Sequence, residues 1–460
     1  MNTPPRPGQP IPDPPTLFEM PAEPAPAPEP VLDGPPLAGV PRLRMAVRDQ
    51  VVFRAAALDD WVPHEHPVRA IWEYVAGLDL TLLYDPIKAV RGRPGRSPID
   101  PRILLALWLD ATTRGVGSAR QLDALCRSDL VYQWIVGDVR VNYHTISDFR
   151  TDHAELLDDL LTKSVALLMT EGLVDLERVA QDGMRVRAAA GAASFRRKPT
   201  LEESLAEAKE QVEALRQELE DDPQASNRRQ QQARQRAARE RKERVEAALN
   251  RLPELESKKP ADEKDKARCS TTDPDATVMK MANGGFNPAF NVQFATDTKS
   301  QVIVGVDVIT NGSDQGQMGP MVEQIRDRYD RVPGAMLVDG GFAKHDDIDA
   351  VSAPEVGCTV YAPVQKPKAP ETDRHAPSPR DSERVAEWRQ RMGTEEAKTI
   401  SKDRAATAEC VNALARRRGL LQFLVRGVSK VRTIALWHAL AHNVLRMGTL
   451  RAAALAGAEG

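Results

Sequence analysis

The sequence predicts an α/β protein: a mixed sheet flanked by helices, with an all-helical region in front and a charged helical hairpin inserted into it. Three observations predict this. From Glu177 onward, strand-like apolar runs alternate with segments of helical period, and Val302-Ile-Val-Gly-Val-Asp-Val-Ile309 is the clearest of the runs. From Val51 to His153 the chain carries helix signals and no strand signal. Between Pro199 and Lys259 it turns to Glu, Arg, Gln and Ala with no aromatic residue, and Leu205, Val212 and Leu219 recur every seven positions.

In order, residues 1–45 are rich in Pro and lack an apolar signal core, so the sequence predicts a disordered leader and no secretion signal. Residues 46–155 form the helical N-terminal region. Pro67-Val-Arg-Ala-Ile-Trp has apolar spacings of three and four, and Gly77 is a fair helix stop. Lys88-Ala-Val-Arg-Gly-Arg-Pro-Gly-Arg is a basic loop with breakers, in which Arg91, Arg93 and Arg96 are candidates for phosphate contact. Asp100-Pro101 opens a helix with a cap and a first-turn Pro, and further short helices start at Ser118 and near Asn142. Short helices joined by tight turns resemble helix-turn-helix packing, and they equally suit a purely structural helical domain.

The α/β part comprises 156–198 and 270–447, divided by the insertion at 199–269. Its strands are expected at Glu177–Arg187, Ala289–Thr296, Gln301–Ile309, up to Asp339, and at Thr359–Pro363. Asp297-Thr-Lys-Ser300 is expected to close a hairpin. Helices are expected at Met318–Tyr329, His345–Val351, Thr394–Arg418 and Val431–Arg446. In the insertion, Asp221-Asp-Pro223 breaks the helical repeat, which gives an antiparallel hairpin, and Pro260 to Asp275 is expected to be a charged linker. The hairpin's basic stretch from Arg228 to Arg244 can be a solvated face or touch phosphate.

Composition bounds the function. The 460 residues carry 63 basic against 66 acidic side chains, a net charge of −3, so any nucleic-acid contact comes from local patches. The hydrophobic fraction is 41%, and no apolar run approaches the ~18 residues of a membrane span, so no membrane partner is expected. Cys126, Cys269, Cys358 and Cys410 lie far apart, which suits a reducing cytoplasm and argues against a zinc knuckle. His438 and His442 are four apart on a helix without the Glu of a zinc-protease motif, so packing or hydrogen bonding is expected of them. No metal is expected at His64-Glu-His66.

Three acids stand out. Asp182-Gly183 interrupts a strand, where both residue types are disfavoured, and Ala335-Met-Leu-Val-Asp339-Gly-Gly repeats the pattern. Glu409 lies on a helix in Arg404-Ala-Ala-Thr-Ala-Glu409. If the strands of Asp182 and Asp339 are neighbours, the carboxylates stand side by side, and Glu409 can reach them across the sheet. Such a cluster calls for a cation, and oxygen-only ligands favour Mg²⁺ or Mn²⁺, two ions about 4 Å apart in phosphoryl-transfer sites. On spacing alone, Asp-Gly is also a common turn dipeptide.

These residues resemble a known family. The motifs are Pro67-Val-Arg-Ala-Ile, Asp100-Pro-Arg-Ile-Leu-Leu-Ala-Leu-Trp, Gly115-Val-Gly-Ser-Ala-Arg-Gln-Leu, Asn142-Tyr-His-Thr-Ile-Ser-Asp-Phe-Arg150, Gln181-Asp-Gly-Met-Arg-Val-Arg, Leu337-Val-Asp-Gly-Gly-Phe and Arg404-Ala-Ala-Thr-Ala-Glu409. Over roughly Pro63 to Met447 the chain is similar to the DDE transposases of bacterial insertion sequences with a helical N-terminal domain. The resemblance implies a ribonuclease H-like catalytic domain, with Asp182, Asp339 and Glu409 as catalytic and metal-binding residues. It also implies DNA cleavage and strand transfer, with terminal inverted repeats and target DNA as partners and a homodimer on DNA. Location would be cytoplasmic, on the nucleoid. Lys402 and Arg404, before Glu409, and Arg416 and Arg417, after it, are the expected DNA contacts there. Relatives often carry Tyr at the position of Ser401, and this chain departs from them. Two other readings stay open: a DNA-binding protein derived from a transposase without catalysis, and a metal-dependent nuclease without strand transfer.

Overall fold

The structure is a computed structural model that describes residues 56–89, 97–221, 228–366 and 373–458. The Pro-rich leader, the loop residues Arg91, Arg93 and Arg96, and the Asp222-Pro223 break of the hairpin lie outside the described residues.

The N-terminal helices are α1 (Pro67–Ala76), α2 (Thr81–Tyr84), α3 (Pro101–Thr113), α4 (Ala119–Ser128), α5 (Leu130–Val136), α6 (Tyr143–Asp152) and α7 (Ala154–Thr170). Most begin where a side chain satisfies a free amide of the first turn. The His66 ring accepts from Val68 N, Asp100 from Arg102 N, Ser118 from Gln121 N, Asp129 from Val131 N, and Asn142 from Thr145 N. His66 thus caps α1. Helix α3 is buried along most of its length, and Trp108 at its centre donates to Ile146 O of α6 at 2.8 Å.

The sheet is built on β1 (Arg178–Arg187). Next come the two-residue β2 (Phe195–Arg196), the insertion helices α8 (Lys198–Asp221) and α9 (Arg228–Ser257), and β3 (Cys269–Ser270), which pairs with β2. The hairpin therefore leaves and rejoins the body through one short ladder. Arg241 pairs with Glu207 and Arg234 with Glu218 across the two helices, while Leu201, Ala248 and Leu252 pack its base onto Cys269. The segment expected as a charged linker, 260–275, is ordered instead: a 3₁₀ turn at Ala261–Lys266 and then β3.

Strand β4 (Thr277–Lys280) was not foreseen and leads into the long β5 (Phe286–Asp297), followed by β6 (Ile303–Ile309), β7 (Ala335–Leu337) and β8 (Thr359–Tyr361). Antiparallel β1 lies on one edge of β5, and β4 and β6 follow each other along its other edge. On its far side β1 pairs in parallel with β7, and β7 with β8. The sheet is mixed, as the sequence predicts, and β1 is where its direction changes.

The remaining helices are α10 (Met318–Tyr329), α11 (His345–Val351), α12 (Glu383–Met392), α13 (Glu395–Arg404), α14 (Cys410–Arg417) and α15 (Val428–Ala458). Sequence reading missed α12 and took α13 to α14 as one regular helix; a π turn at Ala405–Glu409 separates them. It also ended α15 early.

Two large apolar cores lie on the sheet. One joins α1, α3, α5 and α6 to Met184, Phe290, Phe294 and the apolar side of α15; the other packs α10, α11 and α12 on Val179, Val304 and Met336. Helix α15 also completes the hydrogen bonding of the sheet edge. Asn443 accepts from Ile303 N at 2.9 Å and donates to Ile303 O at 2.8 Å, His442 bonds Gln301 O, and Arg446 donates to Ser300 O. Asn443→Leu removes the partners of two buried backbone groups, each costing about 1–3 kcal/mol when left unpaired. Urea unfolding should report a midpoint shift of that order, and no shift would dismiss the stitch as a stabilising element.

Candidate active site

Asp182 stands in the middle of β1, and Asp339 two residues past the end of β7. The parallel register pairs Ala180 with Leu337, and carried two residues further it sets Asp182 beside Asp339. Both lie on the face that carries Ala180, which α13 and the π turn cover through Ile400 and Ala408. Ala180, Ala335 and Ala408 are small, so the helix approaches the strands closely.

The π turn decides what this helix presents. Arg404 and Glu409 are five residues apart, and a regular α-helix would separate them by about 140° around its axis. Hydrogen bonds that span i to i+5 bring such a pair onto one side. Arg404 Nη2 lies 3.3 Å from Glu409 Oε1. One α-helical turn on, Asn412 follows on the same side. It is buried and donates through Nδ2 to Asp182 Oδ2 at 3.0 Å. The other Asp182 oxygen accepts from Gly183 N at 2.9 Å, and Asp339 Oδ1 accepts from Gly341 N at 2.7 Å.

The electrostatics follow from this packing. Burial pushes the Asp182 carboxyl above the ordinary carboxylate range, and the charge of Asp339 pushes it further; Arg404 and the Gly183 and Asn412 hydrogen bonds oppose the shift. Two half-buried carboxylates side by side, with oxygen donors and one partial counter-charge, suit a hard divalent cation. Glu409 is not closed onto them. Its side chain is 62% exposed and paired with Arg404, and among the described residues no three carboxylate, imidazole or thiol groups form a ready metal cluster.

The opposite face of β1 explains Gly183. A methyl group built there would overlap Asp314 Oδ1 and crowd Gln293 Nε2, and would lie 2.8 Å from Asn291 Oδ1. Asp314 Oδ1 accepts from Asn291 at 2.6 Å and from Gln293 at 2.7 Å, and Arg185 approaches its other oxygen at 3.5 Å. Gln181 donates to Gln293 Oε1 and Gln317 O. A buried polar layer thus backs the strand directly behind Asp182.

Of the other predicted residues, Lys402, Arg416 and Arg417 are exposed and make no ion pair among the described residues. Ser401 turns back and donates to Ala397 O at 2.7 Å, so it presents no outward group where relatives carry Tyr. His438 and His442 are buried, and burial lowers them to about 3 and about 4, so both are neutral. Sequence reading missed Asn412 and the layer behind Gly183. Asn412 is signalled only by its spacing from Glu409; Asn291 and Gln293 are signalled by polar residues alternating along an otherwise apolar strand.

Two outcomes are expected. Gly183→Ala forces Asp314 and Gln293 aside and costs about 1–3 kcal/mol, readable as a lowered denaturation midpoint. A midpoint equal to that of the unsubstituted chain would mean that the layer yields freely. Second, Asp182→Asn should stabilise the metal-free protein near neutral pH. With the folded-state pKa raised, the stability contributed by the protonated carboxyl is full below the unfolded value and lost as pH rises through the folded one. The gain should therefore shrink as pH falls, and melting curves across the acidic range would refute it by showing a constant offset.

Comparison with known sequence families gives two matches. Residues 56–152 match the family described as Transposase domain, and residues 262–444 match the family described as Transposase DDE domain. Asp339 and Glu409 fall within the second match; Asp182 lies between the two and is tied to Asp339 by the strand register. No curated protein and no solved structure matches the chain.

Proposed function

The chain belongs to the DDE transposases of insertion sequences, and from that membership we propose that it cuts element ends and joins them to target DNA. Its mixed sheet flanked by helices is the ribonuclease H-like fold of such enzymes. The observation that carries the proposal is that Asp182 on β1 and Asp339, two residues past the end of the parallel neighbour β7, lie beneath the helical segment that bears Glu409.

In this reading Asp182, Asp339 and Glu409 hold the divalent ion, Mg²⁺ or Mn²⁺, and a pair of ions is the expected complement. Ions so held would supply activation of the attacking oxygen and neutralisation of charge on the leaving oxygen. Asp182 is kept in place by Asn412 in front and by Gly183, packed on Asp314, behind. Water attacks the phosphorus at the element end, the bond to the 3′ oxygen breaks, and that oxygen leaves as a 3′-hydroxyl. The hydroxyl then attacks a target phosphorus and displaces the target 3′ oxygen. No bond to the protein is needed at either step. Lys402, Arg404, Arg416 and Arg417 would steady the phosphates near the site, and Arg91, Arg93 and Arg96 those along the N-terminal helices that read the terminal repeats. A homodimer would bring two ends together, and the work would be done on nucleoid DNA in the cytoplasm. No helix among the described residues is long and apolar enough to cross a membrane.

The test is cleavage and joining of labelled element ends in Mg²⁺, with a binding assay on the same DNA. Asp182→Asn should slow cleavage on the order of 10³-fold, about 4 kcal/mol, and leave binding intact. Cleavage without joined product would identify a nuclease instead. Binding with no cleavage by the unsubstituted chain would identify a DNA-binding protein, and an unslowed Asp182→Asn would remove the carboxylate from the reaction.

A further inference from the structure

We propose that Arg404 is a built-in counter-cation: in the DNA-free protein it holds Glu409 away from the aspartate pair, and it releases Glu409 when a DNA phosphate takes the guanidinium. The inference rests on the reading of Asp182, Asp339 and Glu409 as an ion site, and it concerns how that site is loaded.

Three observations carry it. Arg404 is in ion-pair contact with Glu409 and close enough to Asp182 to favour its charged form. Glu409 faces Arg404 and solvent, with no metal-ready cluster of three ligands among the described residues. The contact also depends on an irregular backbone: only the π turn at Ala405–Glu409 puts residues five apart on one side of the helix.

The pair is built to exchange. It is a single contact at 3.3 Å with a largely exposed carboxylate, the class of ion pair that contributes little in water. A phosphate offers the guanidinium a two-pronged partner of higher charge. A divalent ion and Arg404 compete for the same carboxylate, so whatever draws Arg404 away favours the ion. By linkage, the ion must favour DNA binding to the same degree. The protein would thus be slow to assemble a hydrolytic centre before DNA has arrived.

Mn²⁺ affinity of the full chain, measured by electron paramagnetic resonance of the free ion with and without an element-end duplex, tests this. The unsubstituted chain should bind weakly alone and at least about tenfold more tightly with DNA, a coupling of about 1.4 kcal/mol. Arg404→Gln should bind tightly without DNA and gain little from it. Arg404→Met serves as a second uncharged variant should the first not fold. Lys398→Gln, which removes an equal charge that pairs with Glu395 on the same helix, should behave as the unsubstituted chain. The proposal is overturned if the uncharged Arg404 variants bind Mn²⁺ no more tightly than the unsubstituted chain without DNA, or if Lys398→Gln gives the same shift. Asp182→Asn separates the two levels. If it binds Mn²⁺ as the unsubstituted chain does, the ion site itself is wrong; if it loses the ion while Arg404 variants show no gain, only the counter-cation role fails.

Discussion

The structure depends on one unfavourable contact: two carboxylates held side by side by the parallel pairing of β1 and β7. Asp182 is fixed by its pairing with Phe294 of β5, and Asp339 follows two residues after the β1–β7 ladder ends, so the register of that ladder sets the two acids beside each other. Much of what surrounds them answers that repulsion. Asn412 and the Gly183 amide hold the oxygens of Asp182, the Gly341 amide holds Asp339, and Arg404 supplies part of the missing positive charge. A site that stores repulsion in this way is poised for a cation, because the ion gains what the pair loses by standing together.

Holding such a pair rigid requires support on both faces of β1. In front, small residues let the α13 helix and the π turn lie close to the strands. Behind, Asp314, Asn291 and Gln293 reach the strand backbone because Gly183 leaves room for them. The N-terminal helices are part of this support. Trp437 on α15 donates to Arg150 O of α6, and the turn after α3 meets the end of α14 backbone to backbone at Gly115 and Gly419. Movement of the helical region is thereby tied to the helix that follows Glu409.

The architecture was legible where local rules and tertiary needs agree. The cap at Asp100, the helix starts at Ser118 and near Asn142, the alternation from Val302 to Val308 and the turn at Asp297–Ser300 each announce themselves and are found. The aspartates were legible because Asp-Gly is a poor strand filler, although the reason for Gly183 was not, since it lies in Asp314, far along the chain. The π turn was invisible: Ala405-Ala-Thr-Ala reads as ordinary helix, and only packing of Ile400 and Ala408 against β1 and β7 shows where the extra residue is absorbed. Strand β4 escaped because it is short and owes its form to pairing with β5. The ordering of 260–275 escaped because charged residues conceal a turn that packs beneath the hairpin.

The short ladder between β2 and β3 has a consequence for descent. Some sixty residues of charged hairpin enter and leave the body at adjacent points, clamped by Phe195–Ser270 and Arg196–Cys269. From the standpoint of the sheet, everything between is a closed loop, and lengthening such a loop costs only a slowly growing entropy. The hairpin is therefore free to be extended, trimmed or replaced while β1 and its neighbours keep their register. Lineages of this fold can diverge there in reach and in partners while the sheet and its aspartate pair stay unchanged.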